Sequence, residues 1–143
     1  MAESGSAKRG TELKQGEQIE ELRVTPDKYL PHRYAGASGD FNPIHIDPEF
    51  ARSVGLPGSI LHGLYVMALV SKASIDAAGG DPRSLRRLSV QFRGMSVPEQ
   101  EIVVSGEVVE ADGERAEVDL VAAQGENRVI RNARAELDTG APD

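Results

Sequence analysis

The chain has 143 residues, of which 39% are hydrophobic and 27% are charged, and its formal net charge is −7. This composition predicts one globular domain and excludes a disordered chain. The excess of carboxylates argues against a nucleic-acid partner, because phosphate binding requires clustered lysines and arginines. The lack of cysteine excludes disulfides, thiolate metal sites and a cysteine nucleophile.

The sequence also lacks the patterns of a membrane or secreted protein. It has no run of about 18 apolar residues, and its first segment, MAESGSAKRG, has no apolar stretch like that of a signal peptide. We therefore expect a cytoplasmic protein with no membrane partner. Residues 1–16 are polar and rich in glycine and serine, which predicts a disordered tail before a single folded domain at 17–143.

The first predicted elements are short. A strand is expected at Gln18–Val24, and a short helix is expected to begin at Pro31 and to end at Gly39. The next segment, SGDFNPIHID, is interrupted by glycine, asparagine and proline. It therefore predicts a loop that presents Asp40 and His45 rather than a regular element.

Two helices are predicted after this loop. Asp47 and Pro48 are typical of an N-cap and a first helical residue, which places a short helix at Glu49–Val54. Residues 60–78, with the sequence ILHGLYVMALVSKASIDAA, form a run of about five helical turns. Small or apolar residues lie on nearly all faces of this run, so we expect the helix to be buried.

Beyond residue 80 the pattern changes to that of β-strands. Apolar and polar residues alternate at 88–93, and further strands are predicted at Glu101–Glu110, Arg115–Ala123 and Asn127–Leu137. Only the 60–78 helix is long and apolar enough to cover these strands. The sequence therefore predicts an α+β domain in which a curved antiparallel β-sheet wraps one long helix.

Asp40 and His45 are the first candidates for chemistry. They lie five positions apart in one segment, and a carboxylate and an imidazole form a natural base and acid pair at neutral pH. On spacing alone, a turn-forming aspartate and a surface histidine are the more common explanation. Metal binding by His32, His45 and His62 is not expected, because their spacing matches neither of the familiar short zinc patterns.

The start of the long helix offers a second candidate. Gly63 has no side chain, so its N–H could receive an oxygen that gains negative charge, with the helix dipole adding a favourable potential. The neighbouring His62 could instead simply anchor the helix start through a backbone hydrogen bond. Ser71 lies about two turns further along the same face, where a small polar residue is also common in a crowded helix. Asn42 and Asp47 fit turn and cap positions equally well.

The stretch YAGASGDFNPIHIDPEFARSVGLPGSILHG resembles the hydratase motif of the MaoC-like family. This family includes R-specific enoyl-CoA hydratases and 3-hydroxyacyl-thioester dehydratase subunits of the mycobacterial type. The pattern that carries the resemblance is Asp-x-Asn-Pro-x-His, followed about sixteen residues later by His-Gly. Looser similarity extends over Gln18–Leu137. The resemblance implies a hot-dog fold and a dimer whose two sheets pair edge to edge, with the active sites near the interface.

The resemblance also implies roles for individual residues. It assigns the family's catalytic aspartate and histidine to Asp40 and His45, its oxyanion-hole N–H to Gly63, and its assisting helix serine to Ser71. Asn42 matches the motif asparagine, which is expected to steady the loop and the water. The candidates for substrate contact near the motif are Asn42, His62, Phe41, Leu64, Tyr65 and Met67.

The implied activity is the reversible hydration of a 2-enoyl-CoA, or of a carrier-protein thioester, to an R-3-hydroxyacyl thioester without a metal or redox cofactor. A hot-dog acyl-CoA thioesterase is the alternative enzyme, although such enzymes usually have an acidic residue on the long helix, and this helix has none before Asp76. A single unit of this length implies a homodimer, or a heterodimer with a second hot-dog subunit. A non-catalytic subunit is a third alternative, but it would be expected to lack Asp40 or His45.

Overall fold

The computed structural model describes residues 13–140. The first twelve residues of the predicted tail therefore lie outside the described part of the chain. At the end of the predicted tail, the N–H of Gly16 donates to the carbonyl of Val108 at 2.8 Å. Leu13 packs against the hydrophobic core.

Five strands form one antiparallel sheet in the order β1-β3-β4-β5-β2. The strands are β1 (Leu22–Val24), β2 (Leu85–Phe92), β3 (Ile102–Ala111), β4 (Arg115–Gln124) and β5 (Asn127–Asp138). Their sequences alternate as a sheet with one packed face requires, so that in β4 the side chains of Ala116, Val118 and Leu120 are buried. The three strands predicted after residue 100 are confirmed, and the first strand is shorter than predicted.

Residues 13–140 form four α-helices, all between β1 and β2 along the chain. They are α1 (Leu30–Ser38), α2 (Pro43–Ile46), α3 (Pro48–Ser53) and α4 (Gly63–Ala77), and a 3₁₀ turn follows at Pro82–Ser84. The predicted cap of α3 is confirmed, because the carboxylate of Asp47 accepts from the N–H groups of Glu49 and Phe50. Gly39 ends α1 in a left-handed conformation with φ of 83°.

Helix α4 packs against β2, β3, β4 and β5 and supplies one side of the core. Its buried apolar residues are Val66, Leu69, Val70 and Ala73. The predicted α+β architecture, with an antiparallel sheet around one long helix, is confirmed. None of the helices formed by residues 13–140 has the length and apolar character needed to cross a membrane.

Two expectations for the long helix are wrong. The helix begins at Gly63 and not at Ile60, because the backbone of His62 is extended, with φ of −68° and ψ of 137°. The preceding N–H groups of Ile60 and Leu61 donate to Ile44 at 3.1 Å and to Ser96 at 2.9 Å. The helix is also not buried on all sides, since the sheet covers only one face and Leu64 is 63% exposed. The prediction from the apolar run therefore overestimated both the length and the burial of α4.

The predicted loop around Asp40 and His45 is also partly wrong. His45 lies on α2, a single helical turn that Pro43 begins and Asn42 caps with its side chain. A proline is favourable at the first helical position because the N–H that it lacks would have no partner there. An asparagine before it is favourable because its side chain accepts from an N–H of the first turn. The same two residues were interpreted as loop signals, since a four-residue helix is too short to show helical periodicity.

Candidate active site

The fold brings the two predicted catalytic side chains together. The Nε2 atom of His45 lies 3.8 Å from the Oδ2 atom of Asp40. Their surroundings differ, because the side chain of His45 is only 9% exposed whereas that of Asp40 is 53% exposed. The pair therefore combines a packed imidazole with a carboxylate that solvent can reach.

A tight turn orients Asp40. Its N–H donates to the Oγ of Ser38 at 3.1 Å, and its Oδ1 accepts from the N–H of Asn42 at 3.2 Å. The Oδ1 of Asn42 accepts from the N–H of Ile44 at 3.1 Å and so caps α2. One turn thus aims Asp40 and starts the helix that carries His45.

The hydrogen bonds of His45 determine which of its nitrogens carries the proton. Its Nδ1 lies 2.8 Å from the carbonyl oxygen of Ile60. A carbonyl oxygen can only accept, so Nδ1 is the donor and the neutral ring has its free lone pair on Nε2. This lone pair lies on the side of Asp40, and the 3.8 Å between Nε2 and Oδ2 allows both atoms to accept from one water molecule.

His62 lies directly behind His45. The two imidazole rings are stacked, with centroids 3.8 Å apart and planes 19° apart, and His62 is only 2% exposed. The Nε2 atom of His62 is 3.0 Å from the carbonyl oxygen of Asp40. His62 therefore does bind a backbone group, as one interpretation of the sequence predicted. However, that group is the carbonyl of Asp40 and does not belong to the start of α4.

Gly63 is the first residue of α4, and its N–H has no hydrogen-bond partner among residues 13–140. Unpaired N–H groups at a helix N-terminus favour negative charge. A Cβ atom on Gly63 would lie 3.1 Å from the Cε1 atom of Phe92. The sequence suggested that glycine keeps the N–H accessible, and the structure adds that the exposed Phe92 ring would have to shift slightly to admit a methyl group.

The remaining candidates lie at different depths. Phe41 and Leu64 are on the surface of this chain, at 58% and 63% exposure. Ser71 is half-buried, and within residues 13–140 its hydroxyl has no hydrogen-bond partner. Tyr65 and Met67 pack against the core, and burial raises the pKa of the Tyr65 phenol.

Three possible metal ligands also meet at this site, which the spacing of the histidines did not predict. One donor atom from each of Asp40, His45 and His62 lies within 4.8 Å of the others. Two imidazoles and a carboxylate are a familiar ligand set. However, a metal must lie near the plane of each imidazole that binds it, and these rings are stacked with only 19° between their planes. The geometry favours proton transfer over metal binding.

Comparison with known families identifies the fold and the motif together. Residues 10–130 match the family described as MaoC like domain, and this range contains the Asp40 turn, α2 and the start of α4. The chain belongs to the MaoC-like domain family. The resemblance inferred from the hydratase motif is confirmed.

A curated relative of this MaoC-like chain is the enoyl-CoA hydratase ChsH3 of Mycobacterium tuberculosis, which is 34% identical over 110 residues. The match covers 76% of this chain and 36% of the relative. The peroxisomal enoyl-CoA hydratase 2 of Arabidopsis thaliana is 38% identical over 84 residues, covering 58% of this chain and 26% of the relative. This chain therefore spans about a third or less of the length of these two relatives.

Solved structures confirm the hot-dog fold of this MaoC-like protein. The R-hydratase PhaJ1 from Pseudomonas aeruginosa superposes with a TM-score of 0.79 at 24% identity, over 92% of this chain and 84% of that one. A chain of the ChsH1-ChsH2 complex from Mycobacterium tuberculosis superposes with a TM-score of 0.77 at 20% identity, over 88% of this chain and 98% of that one. At 24% and 20% identity, the structural similarity to these two chains shows a shared fold and nothing further.

Three contacts in the MaoC-like site were missed by reasoning from sequence. The Ile60 carbonyl that binds His45 has no sequence signal, because any residue supplies a carbonyl. Phe92 was assigned only to the alternating pattern of a strand. Tyr34 lies within the motif stretch, and its ring centroid is 4.7 Å from that of His62. A tyrosine inside a family motif is a signal that could have been used.

Proposed function

We propose that this protein catalyses the reversible addition of water to a 2-enoyl thioester, giving an R-3-hydroxyacyl thioester. The observation that carries the proposal is the Asp40–His45 pair, in which two proton acceptors 3.8 Å apart face each other beside the start of α4. The motif and the relatives named enoyl-CoA hydratase support the choice of reaction. The R configuration of the product rests on the family likeness alone.

In the proposed hydration, Asp40 and His45 hold one water molecule between them. The Asp40 carboxylate accepts a hydrogen bond from one O–H of the water, which stays intact, and the free Nε2 of His45 takes the proton of the other O–H as the water oxygen bonds to C3 of the enoyl group. The electron pair of the double bond moves toward the thioester carbonyl. The proton is then delivered from the pair to C2, so that one water molecule is added in total. Dehydration follows the same steps in reverse.

The thioester oxygen becomes enolate-like as C3 is attacked. We propose that the N–H of Gly63 donates to this oxygen, since it is the first N–H of α4 and is unpaired among residues 13–140. A preorganised donor of this kind typically stabilises a transition state by roughly 2.7–4 kcal/mol. The substrate is an acyl-CoA or acyl-carrier thioester, and Phe41 and Leu64 are the proposed contacts for its acyl part.

A thioesterase fits the site less well. The only carboxylate in α4 belongs to Asp76, which forms an ion pair with Lys72 at 3.1 Å. At 1.5 Å per residue, Asp76 is about 20 Å along the helix from Gly63. A carboxylate at that distance cannot attack a thioester bound at the helix N-terminus or activate water beside it.

A second hot-dog subunit is the proposed partner. Strand β2 is an edge of the sheet and is eight residues long, so its outer N–H and C=O groups are free to pair with another strand. The exposed apolar side chains near β2 and the start of α4 are Phe41, Leu64, Phe92 and Met95. We propose a homodimer or a heterodimer, and light scattering on the protein alone and mixed with a candidate partner distinguishes the two. A monomer that is fully active would contradict both.

The activity is tested by mixing the purified protein with crotonyl-CoA and with longer 2-enoyl-CoA substrates. Loss of the enoyl-thioester absorbance without release of free thiol is the expected result. Thiol release would replace this proposal with the thioesterase. No reaction with any chain length, alone or with the candidate partner, would contradict both the hydratase and the thioesterase assignments.

A cytoplasmic location stays a prediction from composition, which fluorescence microscopy of the tagged full-length protein can test.

A further inference from the structure

The imidazole of His62 contacts two other rings of the site. It stacks on His45 at 3.8 Å between centroids, and the ring of Tyr34 lies on it at 4.7 Å with 43° between planes. His45 belongs to α2 and Tyr34 to α1, whereas His62 immediately precedes α4. Three helices thus meet through one buried side chain.

The two nitrogens of His62 have different surroundings. Nε2 lies 3.0 Å from the carbonyl oxygen of Asp40, which can only accept, so Nε2 carries a proton. Nδ1 is buried and has no hydrogen-bond partner among residues 13–140. A proton on Nδ1 would be a buried donor without an acceptor, which is costly. These contacts therefore stabilise the tautomer with its proton on Nε2.

His62 is an unfavourable residue for its place in the helix. It occupies the N-cap of α4, but its side chain makes no cap hydrogen bond. Serine, threonine, aspartate or asparagine would satisfy one of the unpaired N–H groups there. The protein instead buries an imidazole with one unpartnered nitrogen, so the benefit of this residue must come from its contacts with Asp40 and His45.

We propose that His62 is a positioning residue that holds Asp40 and His45 in the geometry for hydration. Its Nε2–H fixes the backbone of Asp40, its ring face fixes the plane of His45, and its own backbone leads directly into Gly63. The inference rests on the proposed hydratase activity. At 2% exposure, the ring lies behind the reacting groups and does not contact the substrate.

The tautomers can be measured without any substrate. Long-range ¹H–¹⁵N correlation spectra of the unmodified protein should show the proton of His62 on Nε2 and that of His45 on Nδ1. A proton on Nδ1 of His62 would overturn the proposal. This measurement stays readable if the protein hydrates no enoyl thioester, so that failure of the proposed activity and failure of the positioning role can be told apart.

Two variants separate the contacts of His62. His62→Phe keeps an aromatic face against His45 but loses the N–H, whereas His62→Asn keeps an N–H donor but loses the ring. In each folded variant we expect kcat to fall by roughly 10- to 100-fold, because misplacement of reacting groups has effects of this size. KM should stay within about twofold, since the lost contact acts on the enzyme's own groups and not on the substrate.

The matched control is His32→Phe, because His32 is exposed and its Nε2 also contacts a backbone carbonyl, that of Ile46 at 3.1 Å. This control should retain its kcat. Unchanged kcat in both His62 variants, or a raised KM with unchanged kcat, would overturn the proposal. If neither His62 variant folds, Tyr34→Leu removes the second ring that contacts His62, and it should lower kcat without raising KM. A Tyr34→Leu protein with normal kcat would then overturn the proposal.

Discussion

The Nε2 atom of His45 lies 3.8 Å from Oδ2 of Asp40, while Nδ1 on the other side of the ring donates to the carbonyl of Ile60 at 2.8 Å. The backbone of one segment thereby sets the proton on the His45 ring, and the free lone pair is left on the side of the carboxylate. Asp40 is held by its own turn, so neither group needs the other in order to be oriented.

Asp40→Asn should abolish most activity and leave the fold intact. The asparagine keeps an oxygen that can accept from the N–H of Asn42, as Oδ1 of Asp40 does at 3.2 Å, but it loses the charge that orients the water. We expect turnover on an enoyl-CoA to fall by about 10² or more, the usual scale of general acid and base catalysis. The turnover of the His45→Gln variant should fall by a similar factor.

The control for this prediction is Asp47→Asn, the same chemical change in an exposed residue of the same segment. Asp47 caps α3, and asparagine is an equally good cap, so turnover and melting temperature should stay near those of the unmodified protein. Near-normal turnover in Asp40→Asn or in His45→Gln would contradict the assignment of the pair.

Gly63→Ala tests two reasons for a glycine at the start of α4. A methyl group there would crowd the N–H, and it would also lie 3.1 Å from the Phe92 ring, which is 48% exposed and has room to move. We expect kcat to fall about tenfold, a part of what one oxyanion donor supplies. The change in unfolding free energy should stay within about 1 kcal/mol, because alanine favours the helix as the ring is displaced.

The double variant Gly63→Ala/Phe92→Ala separates the two reasons. If the methyl acts by crowding the N–H, removing the ring will leave the tenfold loss caused by Gly63→Ala in place. If it acts by displacing Phe92, the loss will disappear when the ring is already absent. Full activity of Gly63→Ala in the unmodified background would show that this N–H does not serve the reaction.

The sequence predicted most of the sheet but less of the site. Strands β3, β4 and β5 show the two-residue alternation of a sheet with one packed face, so their positions follow directly from the pattern. Helix α2 has only four residues, and no periodicity can reveal so short an element. The start of α4 was placed three residues early because the apolar residues of the preceding extended segment continue the same pattern.

The internal geometry of the site could not be predicted from the sequence, for a different reason. His45 and His62 are seventeen positions apart, and their stacking depends on how α2 and the residues before α4 pack together. The motif identified both residues, but it carried no information on which nitrogen is bonded. The carbonyl of Ile60 and that of Asp40 determine this, and a backbone carbonyl is the same in every residue.

Ser71→Ala should have a smaller effect than changes in the pair. Ser71 and Gly63 lie two turns apart on one face of α4, and the hydroxyl of Ser71 has no partner among residues 13–140. If it contacts the substrate or the water, its removal should lower kcat/KM by less than about tenfold, as expected for one neutral hydrogen bond. A loss as large as that of Asp40→Asn would show that Ser71 belongs to the proton-transfer machinery.

Ser74→Ala is the matched control on the same helix. The hydroxyl of Ser74 is buried and donates to the carbonyl of Val70 at 2.9 Å, so it is already satisfied within α4. Its loss should change the melting temperature and leave kcat/KM unaltered. Equal losses of kcat/KM in both serine variants would point to a general effect on the helix.

Asp27 should stabilise the protein in a pH-dependent manner. The guanidinium of Arg33 and the N–H of Tyr29 hold the pKa of the Asp27 carboxyl below its ordinary range. A carboxyl with a lowered pKa in the folded state contributes stability above its unfolded pKa, and this contribution is lost as the pH falls through the folded pKa. Asp27→Asn should therefore lower the melting temperature at pH 7, and the difference should shrink below about pH 4.

Thermal unfolding of both proteins from pH 7 to pH 3 measures this difference, with Asp76→Asn as a control in an exposed ion pair. A difference that stays constant down to pH 3 would show that Asp27 acts through packing and not through its charge.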